Sequence, residues 1–335
     1  MRLLARKRDS AAIEAGHRGE NRLRPVHSLE ELDRKLDEVS ALPTEGERID
    51  VLCRHYFSLD KGLDHPADPF SDEYRAWALD LWSRLSGRSE PYDPAAHELS
   101  GYGELDLRSP PPYNIESGAL LGDLLICWGF LMRTLDLKAG QSLLEYGPGS
   151  GQLLLQFARM GVRAAGVDID PAQVRFIREQ GERLGLDIRA RVGTFGETIE
   201  PGERYDAVVF FEAFHHAFDH AALVERLHDV VTDDGALVIA ADIVVDAAHQ
   251  FREVVPFPWG PRLDLLSLRA MRTHGWMELG FRQEYFDELL HRARWSVTRH
   301  DCPQTDRGTV WVGRKARSGV TTRPVHVGAL RGDRT

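Results

Sequence analysis

The stretch "EYGPGSG", residues 145–151, places three glycines between two apolar runs of different period. The run before it, "QSLLE", is short and strand-like, and the run after it, "QLLLQFARMG", has the spacing of an amphipathic helix. A strand, a glycine turn and a helix in this order surround a polar or anionic group with backbone amides. Glycine also allows a tight turn and leaves no Cβ between backbone and ligand. The stretch therefore predicts a ligand-binding loop at the carboxyl end of a strand.

Strand-like and helical runs alternate downstream of this loop. The predicted strands are "QSLLEY", "VRAAGVDI", "DIRARV", "YDAVVFF" and "GALVIAADI", and the predicted helices cover 151–160, 171–184, 220–231 and 282–293. Such alternation predicts βαβ units around a mostly parallel sheet, and therefore an α/β fold. The last two strand candidates, "WSVTRHD" and "GTVWVGRK", leave no room for a helix between them. They predict a hairpin, which adds an antiparallel edge to the sheet.

The chain changes character near residue 140. Upstream of it, 27–42 and 72–87 show apolar residues at helical spacing, while 92–114 is rich in turn formers and is expected to run irregularly over the surface, where it could reach the active site. The expected organisation is a basic, disordered N-terminus (1–27), a helical region (28–114), a main domain (115–315) with a lid insertion (244–281), and a disordered basic tail (316–335).

Charge and composition exclude several classes of protein. The chain carries a net charge of −10, but both ends are basic, so 29 Lys/Arg and 48 Asp/Glu remain between residues 28 and 312. A body this acidic repels phosphate backbones, and no nucleic-acid partner is expected. Three widely spaced cysteines and the absence of a secretory signal predict a cytoplasmic protein. The apolar window "LLGDLLICWGFLM" (120–132) is too short to span a bilayer and contains Asp123, so it predicts a buried helix and no membrane partner.

The residues around the glycine loop indicate which class of ligand it binds. The loop reads GxGxG, without the GxGxxG of dinucleotide sites and without the GK[ST] of triphosphate sites. Glu145 immediately precedes it, and a carboxylate there suits an amino group better than a pyrophosphate. Asp168 ends the second strand, about twenty residues beyond the loop, where a carboxylate can accept both ribose hydroxyls of a nucleoside. Asp170, just before Pro171, fills the role of helix N-cap and leaves Asp168 free for the ligand.

These motifs resemble those of the class I, Rossmann-like methyltransferases that depend on S-adenosylmethionine (SAM), and the resemblance covers residues 115–315. It implies SAM as cofactor, with Glu145 and the glycine loop at its aminocarboxypropyl end, Asp168 on the ribose and Ile169 beside the adenine. An acidic residue that often faces the adenine amine in this family is replaced by "GTF" (193–195). The cofactor-binding candidates are Glu145, Tyr146, Gly147, Gly149, Gly151, Asp168, Ile169, Thr194, Phe195 and Phe211.

The catalytic candidates follow the fourth strand, which is expected to end near Phe211. Glu212, His215 and His216 then lie at the carboxyl edge of the sheet, where open α/β folds bind ligands. Because the sulfonium donor is already activated, an enzyme mainly positions the acceptor and removes its proton, and histidine suits a hydroxyl acceptor. We expect one of the two histidines to act as base and the other to pack against SAM. With Asp242 these residues could ligate a metal, but no HExxH or paired-Asp pattern is present and no metal is expected.

The lid insertion mixes aromatic rings with arginines, which suits a sugar or another polar acceptor with a flat face. The acceptor-binding candidates are Tyr113, Trp259, Arg262, His274 and Trp276. The lid and the "FEAFHH" segment are similar to those of bacterial methyltransferases of polysaccharide and secondary-metabolite clusters, so O-methylation of a small molecule or saccharide is the leading hypothesis. N- or C-methylation, and a catalytically silent SAM-binding subunit, remain alternatives. The lid aromatics would serve equally as anchors of a homodimer.

Overall fold

The computed structural model describes residues 23–59, 64–100, 105–115, 117–246, 252–305 and 307–316, and the backbone of residues 325–327. Its strands are β1 (Arg24–Val26), β2 (His55–Phe57), β3 (Ser142–Tyr146), β4 (Arg163–Asp168), β5 (Ile188–Val192), β6 (Tyr205–Phe211), β7 (Val231–Ala240), β8 (Val244–Val245), β9 (Trp259–Pro261), β10 (Leu279–Arg282), β11 (Trp295–His300), β12 (Val310–Lys315) and β13 (Val325–Val327). Its helices are α1 (Leu29–Ser40), α2 (Glu45–Leu52), α3 (Asp72–Ser86), α4 (Pro94–His97), α5 (Gly118–Leu135), α6 (Gln152–Arg159), α7 (Pro171–Leu184), α8 (His220–Val230), α9 (Leu265–His274) and α10 (Gln283–Arg292). Short 3₁₀ helices cover Tyr113–Ile115, Phe214–His216 and Arg252–Val254.

The central sheet has the strand order β13-β11-β12-β7-β6-β3-β4-β5. Strands β3 to β7 pair in parallel, whereas β12 is antiparallel to both β7 and β11. The predicted α/β fold with an antiparallel C-terminal hairpin is therefore confirmed. The chain runs outward from β3 to β5 on one side and crosses to β6 and β7 on the other. The carboxyl ends of β3, β4 and β6 consequently border the crevice where such sheets bind ligands.

Strand β6 shows how the sheet separates two apolar layers. Val208 and Phe210 pack into the layer that contains α8 and α10, while Val209 and Phe211 pack into the layer that contains α5, α6 and α7. Successive side chains of a strand point to opposite faces, so a continuous apolar run is what a strand covered on both sides requires. Phe211 is the last strand residue, and the next residues emerge at the ligand-binding edge.

The lid insertion and the N-terminal helices form a single cap over this edge. The insertion folds into a three-stranded sheet with the strand order β8-β10-β9, and α9 connects β9 to β10. Trp259 of β9 donates its indole N–H to Pro69 O at 2.7 Å, and its own carbonyl accepts the Tyr74 hydroxyl at 2.8 Å. These contacts join segments that are far apart in the sequence, so the cap forms only in the folded chain.

Three expectations from the sequence are wrong here. Residues 24–26 and 325–327 lie in the expected disordered tails, yet form β1, which pairs with β2, and β13, which pairs with β11. Partners distant in the sequence supply these backbone hydrogen bonds, which local composition does not reveal. The N-terminal region is accordingly not purely helical. The rest of both tails lies outside the described residues.

Helix α5 is less buried than expected. Cys127, Trp128 and Leu131 are its buried residues, while Leu125 and Ile126 are exposed. The helix packs on the sheet along one edge, so apolar composition overstated its burial. Among the described residues, α5 also meets the length and composition of a membrane span, and one such helix is weak evidence.

Candidate active site

The glycine loop follows β3 and leads into α6 with backbone angles that favour glycine. Gly147, Gly149 and Gly151 have φ values of 63°, 53° and 75°. A Cβ on Gly151 would lie 2.6 Å from Ile177 Cγ1, and one on Gly147 would lie 3.1 Å from Ala213 Cβ, so both need glycine for packing as well. A Cβ on Gly149 would meet nothing within 4 Å. Gly149 therefore faces open space, and no side chain caps α6.

Glu145 is a buried carboxylate with an unused acceptor. Its side chain is almost fully buried, and Oε2 has no hydrogen-bond partner among the described residues. Burial, and secondarily the nearby Asp168, raise the pKa of Glu145 to about 8. A buried acceptor without a partner is costly unless a ligand satisfies it. The ammonium group of SAM is a donor of the right charge for this atom.

Asp168 ends β4 beside the loop. Its carboxylate accepts the Gly149 N–H at 3.1 Å and the Asp170 N–H at 2.9 Å, and its own carbonyl accepts the Gly193 N–H at 3.0 Å. Each carboxylate oxygen retains a lone pair for a ribose hydroxyl. Desolvation raises the pKa of Asp168 to about 6 against the lowering effect of these amide donors. Asp170 accepts the Ala172 N–H at 2.7 Å and caps α7, as the sequence predicted.

The remaining cofactor candidates contribute unequally. Tyr146 donates its hydroxyl to Glu197 O at 2.7 Å and stacks on Phe210, so its side chain points into the core and its backbone alone borders the crevice. Phe195 also packs edge-on against Phe210, beneath Gly147. The ring of Phe211 contacts that of Trp128, and Ile169 and Thr194 follow the ends of β4 and β5 with partly buried and exposed side chains, respectively.

Glu212 leaves β6 with a strained backbone. Its φ of 48° is unusual for a residue with a side chain, and such strain is concentrated at functional sites. The side chain is accessible to solvent, yet desolvation raises its pKa, against the lowering effect of Arg307. Glu212 directly follows Phe211, the last residue of β6, and therefore lies at the carboxyl end of that strand.

His215 is held by Asp242 at the end of β7. Asp242 Oδ1 accepts the His215 backbone N–H at 3.0 Å and lies 2.7 Å from Nδ1 of its ring. The Nε2 atom lies 3.7 Å from Oε2 of Glu278, a residue of the lid. Burial, and then the neighbouring His216, lower the pKa of His215 well below its usual value. His215 is therefore neutral at physiological pH.

His216 is held by a carboxylate from the N-terminal region. Its Nδ1 lies 2.9 Å from Glu98 Oε2, an ion-pair distance, although the angle falls outside hydrogen-bond geometry. Desolvation disfavours the charged ring, but Glu98 and then Glu278 outweigh it and raise the pKa of His216 to about 9. With 21% of its side chain exposed, against 10% for His215, His216 is the more accessible ring. The charge of His216 also favours the ionised form of Asp168, so the two side chains are within electrostatic reach of each other.

The two histidines and Glu278 form a cluster that the sequence did not reveal. One ligand atom from each lies within 4.8 Å of the others, as a metal site requires. Each residue also has a protein partner, because Asp242 holds His215, Glu98 holds His216 and Arg262 binds Glu278. A network with its charges paired in this way stands without an ion. Metal analysis of the purified protein separates the two interpretations.

Two acceptor-binding candidates lie beside His216. Trp276 presents its ring edge to the imidazole with centroids 5.7 Å apart, and it stacks on His274 with centroids 4.5 Å apart. Its indole N–H donates to Leu99 O at 2.9 Å.

Tyr113 is exposed on a short 3₁₀ helix, and the preceding Pro111 carbonyl accepts the Ser150 hydroxyl of the glycine loop. Tyr113 thus lies near the cofactor end of the cleft.

The structure gives two other candidates different roles. Trp259 is 2% exposed and packs against Tyr74, Phe218 and His220, so it is a core residue of the cap and the prediction of substrate contact is wrong. The same burial removes it as a dimer anchor. Arg262 is mostly buried and binds Glu278, with Asp264 3.7 Å from its Nε. Its guanidinium neutralises the lid carboxylates, which leaves it little freedom to bind an acceptor.

Sequence reasoning missed Glu98 and Glu278. Both lie in segments expected near the site, 92–114 and 244–281, but neither segment has a motif that marks a carboxylate. His220, in contrast, is buried with Nε2 2.7 Å from the Tyr285 hydroxyl, and burial lowers its pKa to about 4. It is a structural histidine at the start of α8.

Comparisons with known proteins identify the family to which the chain belongs. A family model described as "Methyltransferase domain" matches residues 125–305. Among curated proteins, the chain is 34% identical over 105 residues to "Ubiquinone biosynthesis O-methyltransferase" of Methylobacterium sp. (strain 4-46), which covers 31% of this chain and 42% of that protein. It is 29% identical over 113 residues to the protein of the same name from Azorhizobium caulinodans, covering 34% and 45%. The matched region spans less than half the length of these relatives.

Solved structures with a similar fold include the YcgJ protein of Bacillus subtilis, with 14% identity and a TM-score of 0.46 over 57% of this chain and 99% of that one. Another is the 1,6-didemethyltoxoflavin-N1-methyltransferase of Burkholderia thailandensis, solved with its substrate and S-adenosylhomocysteine. It has 17% identity and a TM-score of 0.45 over 78% of this chain and 94% of that one.

Proposed function

Because the chain belongs to the methyltransferase-domain family, we propose that it transfers a methyl group from SAM to a hydroxyl of a small molecule or saccharide, with His216 as the proton acceptor. One observation carries the choice of chemistry: the His216 imidazole, paired with a carboxylate at Nδ1, lies beside the Trp276 ring and within electrostatic reach of Asp168. The curated relatives are O-methyltransferases by name, which supports oxygen as the acceptor atom.

The cofactor end holds the donor. SAM supplies an electrophilic methyl group on a sulfonium. Glu145 would accept a hydrogen bond from the ammonium group of the cofactor, Gly149 would leave room for its aminocarboxypropyl end, and Asp168 would accept hydrogen bonds from the ribose hydroxyls. None of these groups takes part in the chemistry. They bind and orient the donor, and orientation is the main contribution an enzyme can make to a displacement reaction.

The acceptor end removes a proton. Since Nδ1 of His216 faces Glu98, Nε2 is the ring nitrogen left to accept the hydroxyl proton as the oxygen takes the methyl group. His215 pairs with Asp242 through Nδ1, and its side chain is less exposed than that of His216. The stacked pair of Trp276 and His274 provides a flat apolar face, and Glu212 provides an acceptor for further hydroxyls. Such a combination suits a sugar ring.

The test is product detection. The full-length protein and isotopically labelled SAM are incubated with lysate fractions of saccharide precursors, and mass spectrometry locates a product heavier by one CH₂ group. A product labelled on oxygen supports the proposal, and the Asp168→Ala variant serves as a control for cofactor-dependent labelling. A methyl group found on nitrogen or carbon would contradict O-methylation, and SAM binding without any product would favour the catalytically silent subunit.

A further inference from the structure

Glu98 is fixed from three sides. Its Oε1 accepts the Tyr92 hydroxyl at 2.6 Å and the Met277 backbone N–H at 2.6 Å, and its Oε2 lies 2.9 Å from His216 Nδ1. Its side chain is 9% exposed. The carboxylate is thus held by its own segment and by the lid, and it faces the imidazole with its remaining oxygen. Two donors on Oε1 leave Glu98 with little freedom to turn away from His216.

The segment that carries Glu98 is anchored at both ends of the cleft. Trp276 of the lid binds the Leu99 carbonyl, and the next residue, Ser100, donates its backbone N–H to Asp170 Oδ2 at 3.2 Å. Asp170 caps α7, two residues beyond the cofactor carboxylate Asp168. Residues 92–100 therefore span the distance from the lid to the cofactor site, with Glu98 between the two anchors.

The charged groups around His216 come from every element that packs on it. Glu98 approaches from segment 92–100, Glu278 and Arg262 from the lid, and Asp168 from the end of β4. Within its own segment and the end of β7, His216 faces His215 and Asp242. Glu98 is in closest contact among the carboxylates, and it makes the largest contribution that favours a charged ring.

We propose that Glu98 is a positioning residue for methyl transfer, which orients His216 through Nδ1 so that Nε2 receives the acceptor proton. The proposal rests on the proposed function, since it requires His216 to be the proton acceptor. In the step, the O–H bond of the acceptor breaks, its proton forms an N–H bond at Nε2, and the resulting imidazolium is stabilised by the Glu98 carboxylate. A carboxylate is used in the same way in serine-histidine-aspartate sites.

The experiment measures the pKa of His216 directly in the full-length protein. Histidine-labelled protein is titrated by NMR with and without SAM, and the His216 resonance is assigned from its loss in His216→Ala. Because an adjacent opposite charge raises a histidine pKa, Glu98→Gln should lower the His216 pKa by about one to three pH units. The rise of kcat with pH should move down by the same amount, while the KM for SAM stays unchanged. Glu98→Asp, which keeps the charge, should restore part of the pKa.

The matched control is Glu90→Gln, which removes an exposed carboxylate from the same region, one that pairs with Arg88 and His97. It should leave both the His216 pKa and the kcat profile unchanged. If Glu98→Gln does not fold, Tyr92→Phe replaces it. That variant removes one donor from the Glu98 carboxylate, so its negative charge acts more strongly on His216, and the His216 pKa should rise.

Three results would overturn the proposal. An unchanged His216 pKa in folded Glu98→Gln would show that the ion pair does not control the ring. A shifted His216 pKa with an unshifted kcat profile would show that the Glu98–His216 ion pair is structural. Full turnover in His216→Ala would show the same and would also contradict the proposed role of His216 as proton acceptor, while the ion pair itself would stand. Stoichiometric divalent metal on the His215–His216–Glu278 cluster would also overturn it, because a ligated Nε2 cannot accept a proton.

Discussion

The two ends of the cleft are built differently. At the cofactor end, Glu145 and Asp168 sit on adjacent parallel strands, β3 and β4, whose register places Glu145 opposite Gly166. At the acceptor end, His216 comes from the edge of the sheet, Glu98 from the N-terminal region and Glu278 from the lid. The first end needs only the sheet, whereas the second needs the cap to dock on it. Substitutions in the cap should therefore affect turnover and leave SAM binding intact.

The largest expected effect separates the two histidines. His216→Ala should lower turnover by roughly 10² to 10⁴, the contribution of a positioned base, while SAM affinity stays nearly constant. His215→Ala is the matched control and should have a smaller effect. The wild-type rate should rise with pH towards about 9, since a base acts only when deprotonated and Glu98 raises the pKa of His216. An unperturbed imidazole would instead give a rise near pH 6 to 7.

Steady-state kinetics on the identified acceptor between pH 6 and 10 would measure these effects. Full turnover in both variants would contradict histidine base catalysis and would transfer the role to Glu212 or Asp242.

The two lid tryptophans should have different roles, with Trp259 needed for stability and Trp276 for acceptor binding. Trp259→Ala should lower the free energy of unfolding by about 3–5 kcal/mol, because it leaves a cavity in the cap core and removes the partner of the Pro69 carbonyl. Trp276→Ala, on the half-exposed side of the lid, should lower it by about 1 kcal/mol and raise the KM for the acceptor. Urea denaturation of both variants tests the contrast. Equal losses of stability in the two variants would contradict the assignment of Trp259 to the cap core and of Trp276 to the acceptor-binding surface.

A smaller effect is expected at the cofactor end. Asp168→Ala should weaken SAM binding by about 1 to 3 kcal/mol, the range for hydrogen bonds to a charged group. Titration calorimetry at one site per chain measures the loss. Asp187→Ala, which removes an exposed carboxylate just before β5, should leave affinity unchanged. Equal affinity of the Asp168 variant and the wild type for SAM would show that Asp168 does not contribute to SAM binding.

The smallest expected effect is the release of a proton from Glu145 when SAM binds. Burial raises the pKa of Glu145 to about 8, so this carboxyl is mostly protonated at pH 7 until the ammonium group of SAM favours its charged form. Binding at pH 7 should release less than one proton per site, and Glu145→Gln should abolish the release. Calorimetry in two buffers of different ionisation enthalpy measures it. No release from the wild type would mean that Glu145 does not meet the ammonium.

The same shifts fix the sign of the pH dependence of stability. Glu145 and Asp168 are acids whose folded pKa values, about 8 and about 6, exceed their unfolded values. The folded state therefore binds more protons, and the free protein should lose stability as pH rises from about 4 through 8. SAM should consequently raise the melting temperature more at pH 8 than at pH 6.

Local patterns in the sequence determined most of the fold. Residues 142–240 show the predicted succession of strands and helices because apolar period, a proline after an N-cap and a glycine at a helix end act within a few residues. Asp170 and Pro171 begin α7 as expected, and Gly185 caps its end. The cofactor end followed for the same reason, since Glu145, the glycines and Asp168 lie within 24 residues and parallel pairing brings them together.

The tertiary structure alone decided the acceptor end. Nothing near Trp259 shows that Tyr74 and Pro69 bury it, and nothing near Glu98 shows that it meets His216, because each contact joins segments separated by more than a hundred residues. Likewise, the sequence did not distinguish which of the two histidines acts as base and which packs against SAM. Burial lowers the pKa of His215, while the ion pair with Glu98 raises the pKa of His216, and these environments arise only when the cap packs on the sheet. Electrostatic fields at a site depend on distance in space, and short sequence motifs record only distance along the chain.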